Sequence, residues 1–166
     1  MDMGIYIANL GKYNEGEAVG EWFRPPIDYE DMKERIGLNA QYEEYAIHDY
    51  DLPFQIDEYI SIEEVNSLCS RVIELEGSPF YTELKEIQRT WFNSIEELLD
   101  NVEDIHCHWD CDSMEDVAMY YIEETGLLGE VCEYLQRYID YDALGRDMEI
   151  EGSFLITSHG IFEYCA

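Results

Sequence analysis

A formal net charge of -30 on 166 residues limits what this chain can fold into. Thirty-nine Asp and Glu face nine Lys and Arg, too few to neutralise them. Any compact state therefore forms against its own repulsion. Nearly every carboxylate must stay in water, because an ionised carboxylate buried without a partner is strongly destabilising. The same charge selects partners: nucleic acid and anionic membranes are repelled, and basic surfaces are attracted.

An acidic tail is the usual carrier of such an excess, but here the charge is spread. Residues 1–60 hold 14 acids and 4 bases, residues 61–103 hold 10 and 3, and residues 104–166 hold 15 and 2. Global disorder is opposed by 46% hydrophobic residues and 14% aromatics, which can bury enough apolar surface to offset chain entropy. Salt adaptation is a further reading of the composition, tested by folding at low ionic strength. No apolar run reaches the ~18–20 residues of a membrane span, and Met1-Asp2-Met3-Gly4 does not open a basic signal peptide. Five cysteines without framework spacing point to a reduced, cytoplasmic protein.

Periodicity divides the chain into three expected modules: a mixed α/β part at 1–60, a helical part at 61–103 and a mixed α/β part at 104–166. The expected class is α+β. Strands are predicted at 4–10, 18–23 and 42–49, with a loop over 11–16 and a short helix capped by Asp28 and closed by Gly37. Ser61-Ile62-Glu63-Glu64 and Ser94-Ile95-Glu96-Glu97 are both S-x-x-E capping boxes, and Ser78-Pro79 opens a helix between them. Apolar stripes follow each start. In the last third a strand is predicted at 105–109 and a helix from Ser113 to Gly126. A further helix is expected near 130–139 with Val131, Tyr134, Leu135 and Tyr138 on one side. A hairpin over 153–164 closes the chain.

With the stripes turned inward, the acids become the outer faces. Glu63, Glu64, Glu83, Glu86, Glu96, Glu97 and Asp100 are expected outside the central helices, and Glu123, Glu124, Glu130, Glu133, Asp140, Asp142 and Asp147 outside the last module. One acid per turn gives a charge every ~5 Å of helix axis, against ~1.7 Å for duplex DNA. Two or three parallel rows approach duplex density, and thirty such charges correspond to roughly 50 Å of duplex, or about 15 base pairs.

Several long stretches are similar to the ArdA family of antirestriction proteins. They are IYIANLGKYNEG at 5–16, YEEYAIHDY at 42–50, YYIEETG at 120–126, LGE at 128–130, YIDY at 138–141 and HGIFE at 159–163. The resemblance spans essentially the whole chain. It implies an elongated protein of three modules, carried on mobile DNA such as conjugative transposons, that forms a homodimer through its C-terminal module. It also implies a surface that imitates bent DNA and competitively occupies the DNA groove of type I restriction–modification enzymes, in their methyltransferase core. Segment 126–140 resembles the family's antirestriction motif. Glu130, Glu133 and Asp140 take that label, and Leu128, Val131, Leu135 and Tyr138 are expected to pack.

Other chemistry has weaker support. His106-Cys107-His108-Trp109-Asp110-Cys111-Asp112 resembles a metal site but has no second ligand pair at finger spacing. No Walker loop, nucleotide-binding glycine motif or EF-hand loop occurs. The sequence thus points to a non-enzymatic inhibitor with no cofactor and no metal, which binds neither nucleic acid nor membrane. The competing reading is an acidic binding module or chaperone for another basic DNA-binding protein.

Overall fold

The computed structural model describes residues 3–126 and 128–165. The chain folds into two compact units, residues 1–100 and 101–166. Each carries one three-stranded sheet, antiparallel throughout, with helices packed beside it. The class is α+β.

The first unit runs β1 (Gly4–Asn9), α1 (Leu10–Asn14), β2 (Gly20–Phe23), α2 (Tyr29–Arg35), β3 (Tyr45–Asp51), α3 (Ile62–Glu74), α4 (Pro79–Trp91) and α5 (Ile95–Asp100). Its sheet has the order β2-β1-β3, and the central β1 buries Ile5 and Ile7 completely. The loop expected after β1 is instead the single-turn helix α1. Buried Asn9 explains it. Its side-chain oxygen accepts from Lys12 N at 3.0 Å, capping α1, while its amide donates to the carbonyls of Ile36 and Gly37 at 3.1 and 3.2 Å. One amide thus supplies a helix start and takes up the two backbone carbonyls that follow α2.

Helices α3 to α5 follow the capping signals. Ser61 and Glu64 form both halves of a capping box. At the second box Glu97 N donates to Ser94 Oγ at 3.1 Å, and the Glu97 carboxylate accepts from Asn93 N at 2.9 Å. The apolar stripe of α3 is buried at Ile62, Val65, Leu68, Cys69 and Val72, while Ile73 is exposed. Two amide side chains bind these helices to the preceding segment. Asn66 exchanges bonds with the Ile27 backbone at 2.7 and 2.8 Å, and buried Gln88 exchanges bonds with Gln55 at 2.9 and 3.2 Å.

The second unit starts with a 3-10 turn (Val102–Asp104). It continues through β4 (Ile105–His108), α6 (Met114–Glu124), α7 (Glu133–Gln136), α8 (Tyr141–Glu151), β5 (Phe154–Thr157) and β6 (Gly160–Tyr164). Its sheet order is β4-β6-β5. Cys111, Met114, Val117 and Ile161 form the buried cluster, with Tyr121, Met148 and Phe154 against it.

Two sequence expectations fail here. The helix near 130–139 is the single turn α7, and its Tyr134, Leu135 and Tyr138 are exposed. The long helix lies later, at α8, started by Asp140 accepting from Ala143 N at 3.0 Å. Gly145 in its middle is intrinsically a poor helix former. In the fold it is a contact: a Cβ there would lie 2.4 Å from the Met114 carbonyl oxygen, so only glycine lets α8 approach the start of α6 this closely.

Candidate functional site

Every Asp and Glu among the described residues is exposed except three. Glu83 is buried, and Asp116 and Glu163 are partly buried. The acids do not converge on one cleft. They form an outer surface on each unit, and the stripe periodicity that placed the core also placed them.

Their local roles differ. Glu64 accepts from Ser61 N and Ser61 Oγ through one oxygen, at 3.1 and 2.6 Å. Those hydrogen bonds from Ser61 hold its carboxyl below the usual range. The Glu97 carboxylate accepts from Asn93 N just ahead of α5, and Asp140 caps α8. Asp100 meets Arg71 at 2.7 Å, and Asp142 meets Arg146 at 3.0 Å. Glu63, Glu86, Glu96, Glu123, Glu124, Glu130, Glu133 and Asp147 are exposed, and none of them forms an ion pair among the described residues. Glu83 must be removed from the outer set. It is 8% exposed, because it falls on the same side of α4 as Leu84 and Ile87. Glu86 stands on the exposed side of α4 with Lys85 and Arg89, so that helix presents mixed charge where an acidic row was expected.

The few cations are mostly held locally. Arg35 is bound by Glu21 and Asp31 and lies 4.4 Å above the Phe23 ring. Its hydrogen bond lowers the Glu21 carboxyl and raises the Arg35 guanidinium. Arg137 lies 4.7 Å over Tyr134. Neutralisation is therefore patchwise, and most carboxylates face water alone.

The four packing positions of segment 126–140 divide. Leu128 and Val131 are partly buried, whereas Leu135 and Tyr138 are 55% and 67% exposed. Leu127 lies outside the described residues. Tyr134 is also exposed, and its hydroxyl lies 3.2 Å from that of Tyr138. Together with Ile150, 81% exposed, these side chains leave apolar surface on the second unit.

The His-Cys-His stretch has a different occupation. His108 is buried, and its Nε2 lies 2.9 Å from Glu163, which also accepts from the Tyr121 hydroxyl at 2.6 Å. Burial and that carboxylate push the Tyr121 phenol well above its ordinary value. His106 remains exposed on the same strand, its ring centroid 4.5 Å from that of His108. Among the described residues no three His, Cys, Asp or Glu side chains converge closely enough to hold a metal ion. Burial pushes the Cys69 thiol up to about 11, and burial also raises Cys107, Cys111 and Cys165, which keeps these thiols protonated and poorly nucleophilic.

Sequence periodicity could not find Asn9, Gln88 or Glu163, whose partners are 27 to 55 residues away. A buried polar side chain in a strand or stripe is the one available signal. No helix among the described residues is long and apolar enough to cross a membrane.

Comparison with known proteins gives one result at the level of families. A family model described as antirestriction protein (ArdA) matches residues 5–163, nearly the full length. A comparison with curated protein sequences returned no significant match.

Proposed function

The chain belongs to the ArdA antirestriction protein family, and from that premise we propose that it is a DNA mimic. Its carboxylate surface competes for the DNA-binding groove of a type I restriction–modification enzyme, in the methyltransferase core, and so protects incoming mobile DNA. It acts in the cytoplasm, without catalysis or a cofactor, as a homodimer. The observation that carries this reading is the exposure of nearly every acid among the described residues, on both units, with too few bases to neutralise them.

The mechanism is substitution of carboxylates for phosphates. Lys and Arg of a DNA groove mostly contact the sugar-phosphate backbone, so an acidic surface can meet them without copying any base edge. Inhibition is then indifferent to the enzyme's recognition sequence. Each exposed pair contributes about 0–1 kcal/mol, so affinity is the sum of many. The exposed Tyr134, Leu135, Tyr138 and Ile150 support dimerisation through the second unit, since such apolar surface favours association. Doubling the mimic also adds avidity.

Displacement of labelled duplex DNA from a purified type I methyltransferase tests the proposal. Competition that is independent of the DNA sequence and weakens steeply with salt is expected. An unchanged DNA-binding isotherm under saturating protein refutes it. Displacement from an unrelated basic DNA-binding protein, with none from the type I enzyme, establishes the chaperone-like alternative.

A further inference from the structure

One position on the first unit departs from an evenly distributed acidic surface. Tyr59 is 70% exposed, and its hydroxyl makes no hydrogen bond among the described residues. Its backbone is nevertheless held. Ile47 N donates to the Glu58 carbonyl at 2.9 Å, and Ile60 N donates to the Asp57 carbonyl at 3.3 Å. A large ring is thus presented to water from a pinned turn.

Tyr59 borders two grooves of the same unit. One, of about 690 Å³, is lined by Asp57, Glu64 and Glu96 together with the apolar Ile56, Ile60, Leu68 and Ile95. The other, of about 390 Å³, is lined by Glu43, Glu44, Tyr45 and Leu10. The capping box fixes the Glu64 carboxylate through one oxygen and leaves the other oxygen without a hydrogen bond among the described residues. Gln88 closes the wall of the larger groove with both amide atoms satisfied by Gln55. The carboxylates are too widely spread for a shared metal ion. They suit a cation at the end of a long apolar stem.

We propose that Tyr59 and the two grooves it divides receive arginine side chains of the basic partner. A guanidinium stacks on an aromatic face and bonds a carboxylate in its own plane, while its methylene stem lies against the apolar side chains of a mixed lining. Lysine, a compact and strongly hydrated point charge, gains less there. The grooves repel phosphate and so do not suit a nucleotide. Interfaces concentrate binding energy at tyrosine and arginine anchors, so Tyr59 is an anchor within an otherwise distributed contact. This inference rests on the DNA-mimic reading for its partner.

The test is Tyr59→Ala, with Tyr59→Phe and Glu123→Gln as controls, in the methyltransferase displacement assay. Tyr59→Ala is expected to raise the half-inhibitory concentration tenfold or more. Tyr59→Phe, which keeps the ring, should stay within threefold of the parent. Glu123→Gln should cost less than fivefold. Thermal unfolding of both Tyr59 variants should match the parent, since the removed groups are exposed. If the parent inhibits and Tyr59→Ala inhibits equally, the anchor is refuted and the mimic reading survives. If the parent does not inhibit, the mimic reading fails and the grooves are judged by a second probe. In amide NMR with an arginine hexapeptide, shifts concentrated at residues 55–60, 64 and 94–96 that vanish in Tyr59→Ala support the receptor. Shifts spread evenly over all acidic faces, or unaltered in Tyr59→Ala, overturn it.

Discussion

Replacing Gly145 with alanine should destabilise the second unit, although alanine is the better helix former. On intrinsic propensity alone the change in mid-helix gains about 1 kcal/mol. Against that, the new Cβ would sit 2.4 Å from the Met114 carbonyl oxygen, 2.6 Å from its carbon and 2.9 Å from the Glu115 nitrogen. All three are backbone atoms at the start of α6, so no side chain can swing away. Reaching ordinary contact at 3.4 Å requires α6 and α8 to part by about 1 Å, in an interior that is close-packed. Overpacking of this kind costs about 1–3 kcal/mol, and a 2.4 Å backbone contact belongs at the upper end or beyond. The net loss should be about 2 kcal/mol after the propensity gain. Urea unfolding followed by circular dichroism measures it, and amide exchange of α6 and α8 localises it. An unfolding midpoint at or above that of the parent would show that the helices do not meet through Gly145.

Two further outcomes concern the same unit. Leu135→Asp removes a side chain that is 55% exposed, so it should leave the fold of one protomer unchanged to within ~0.5 kcal/mol while shifting sedimentation from dimer to monomer and weakening inhibition; an unfolded variant, or an undisturbed dimer, counts against the interface placed there. Tyr121 carries a phenol raised in the fold by burial and by Glu163, so the stability it contributes is fully present below the unfolded tyrosine value of about 10 and is lost as pH rises toward the folded value. Tyr121→Phe should therefore flatten the fall of unfolding midpoint above about pH 10, while costing about 1–3 kcal/mol at neutral pH because the partly buried Glu163 loses a donor; identical alkaline profiles for parent and variant would refute the contact.

Local signals fixed the starts of most helices, and distant contacts decided the rest. Ser61, Asp28 and Ser113 each mark a real N-terminus because capping chemistry is confined to four residues, and Ser78 marks one through Pro79 at the first helical position, without a side-chain cap bond. The closing hairpin was legible because its turn signal, Ser158-His159-Gly160, is local, and β5 pairs with β6 around it. α8 was hidden because Gly145 serves a contact with Met114, which lies 31 residues earlier. α1 was hidden because its cap, Asn9, sits inside a sequence that reads as strand. At the candidate site, the outer placement of the acids followed from the apolar stripes, and it failed at Glu83, which α4 turns toward Leu84 and Ile87. The side chains of Leu135 and Tyr138 obey a helical stripe that the chain never forms, since α7 is one turn long. The position of Tyr59 between two grooves depends on the fold of residues 43–64 and 88–96, and no periodicity encodes it.

The placement of charge along the helices bears on why the acids are there. A carboxylate in the last turn of a helix faces the negative end of the helix dipole, which disfavours it by a few tenths to ~1 kcal/mol at low salt. α2 follows the favourable rule, with Glu30 and Asp31 in its first turn and Lys33 and Arg35 in its last. α6 and α8 do not. They end in Glu123-Glu124 and Glu149-Ile150-Glu151, with no base in either last turn. Solubility alone would be met by acids at the N-terminal turns, where they also stabilise. Acids at the wrong ends, in the unit with the fewest bases, are better explained by something outside the fold that requires them. The double variant Glu123→Lys, Glu124→Lys separates the two accounts. It relieves the dipole and the local repulsion, so the unfolding midpoint should rise. In the displacement assay the same variant should inhibit less, because two mimic charges have been reversed. Gain of stability with loss of inhibition is the signature of a surface kept for its partner. A variant that is more stable and inhibits as well as the parent would show that this end of α6 plays no part in binding.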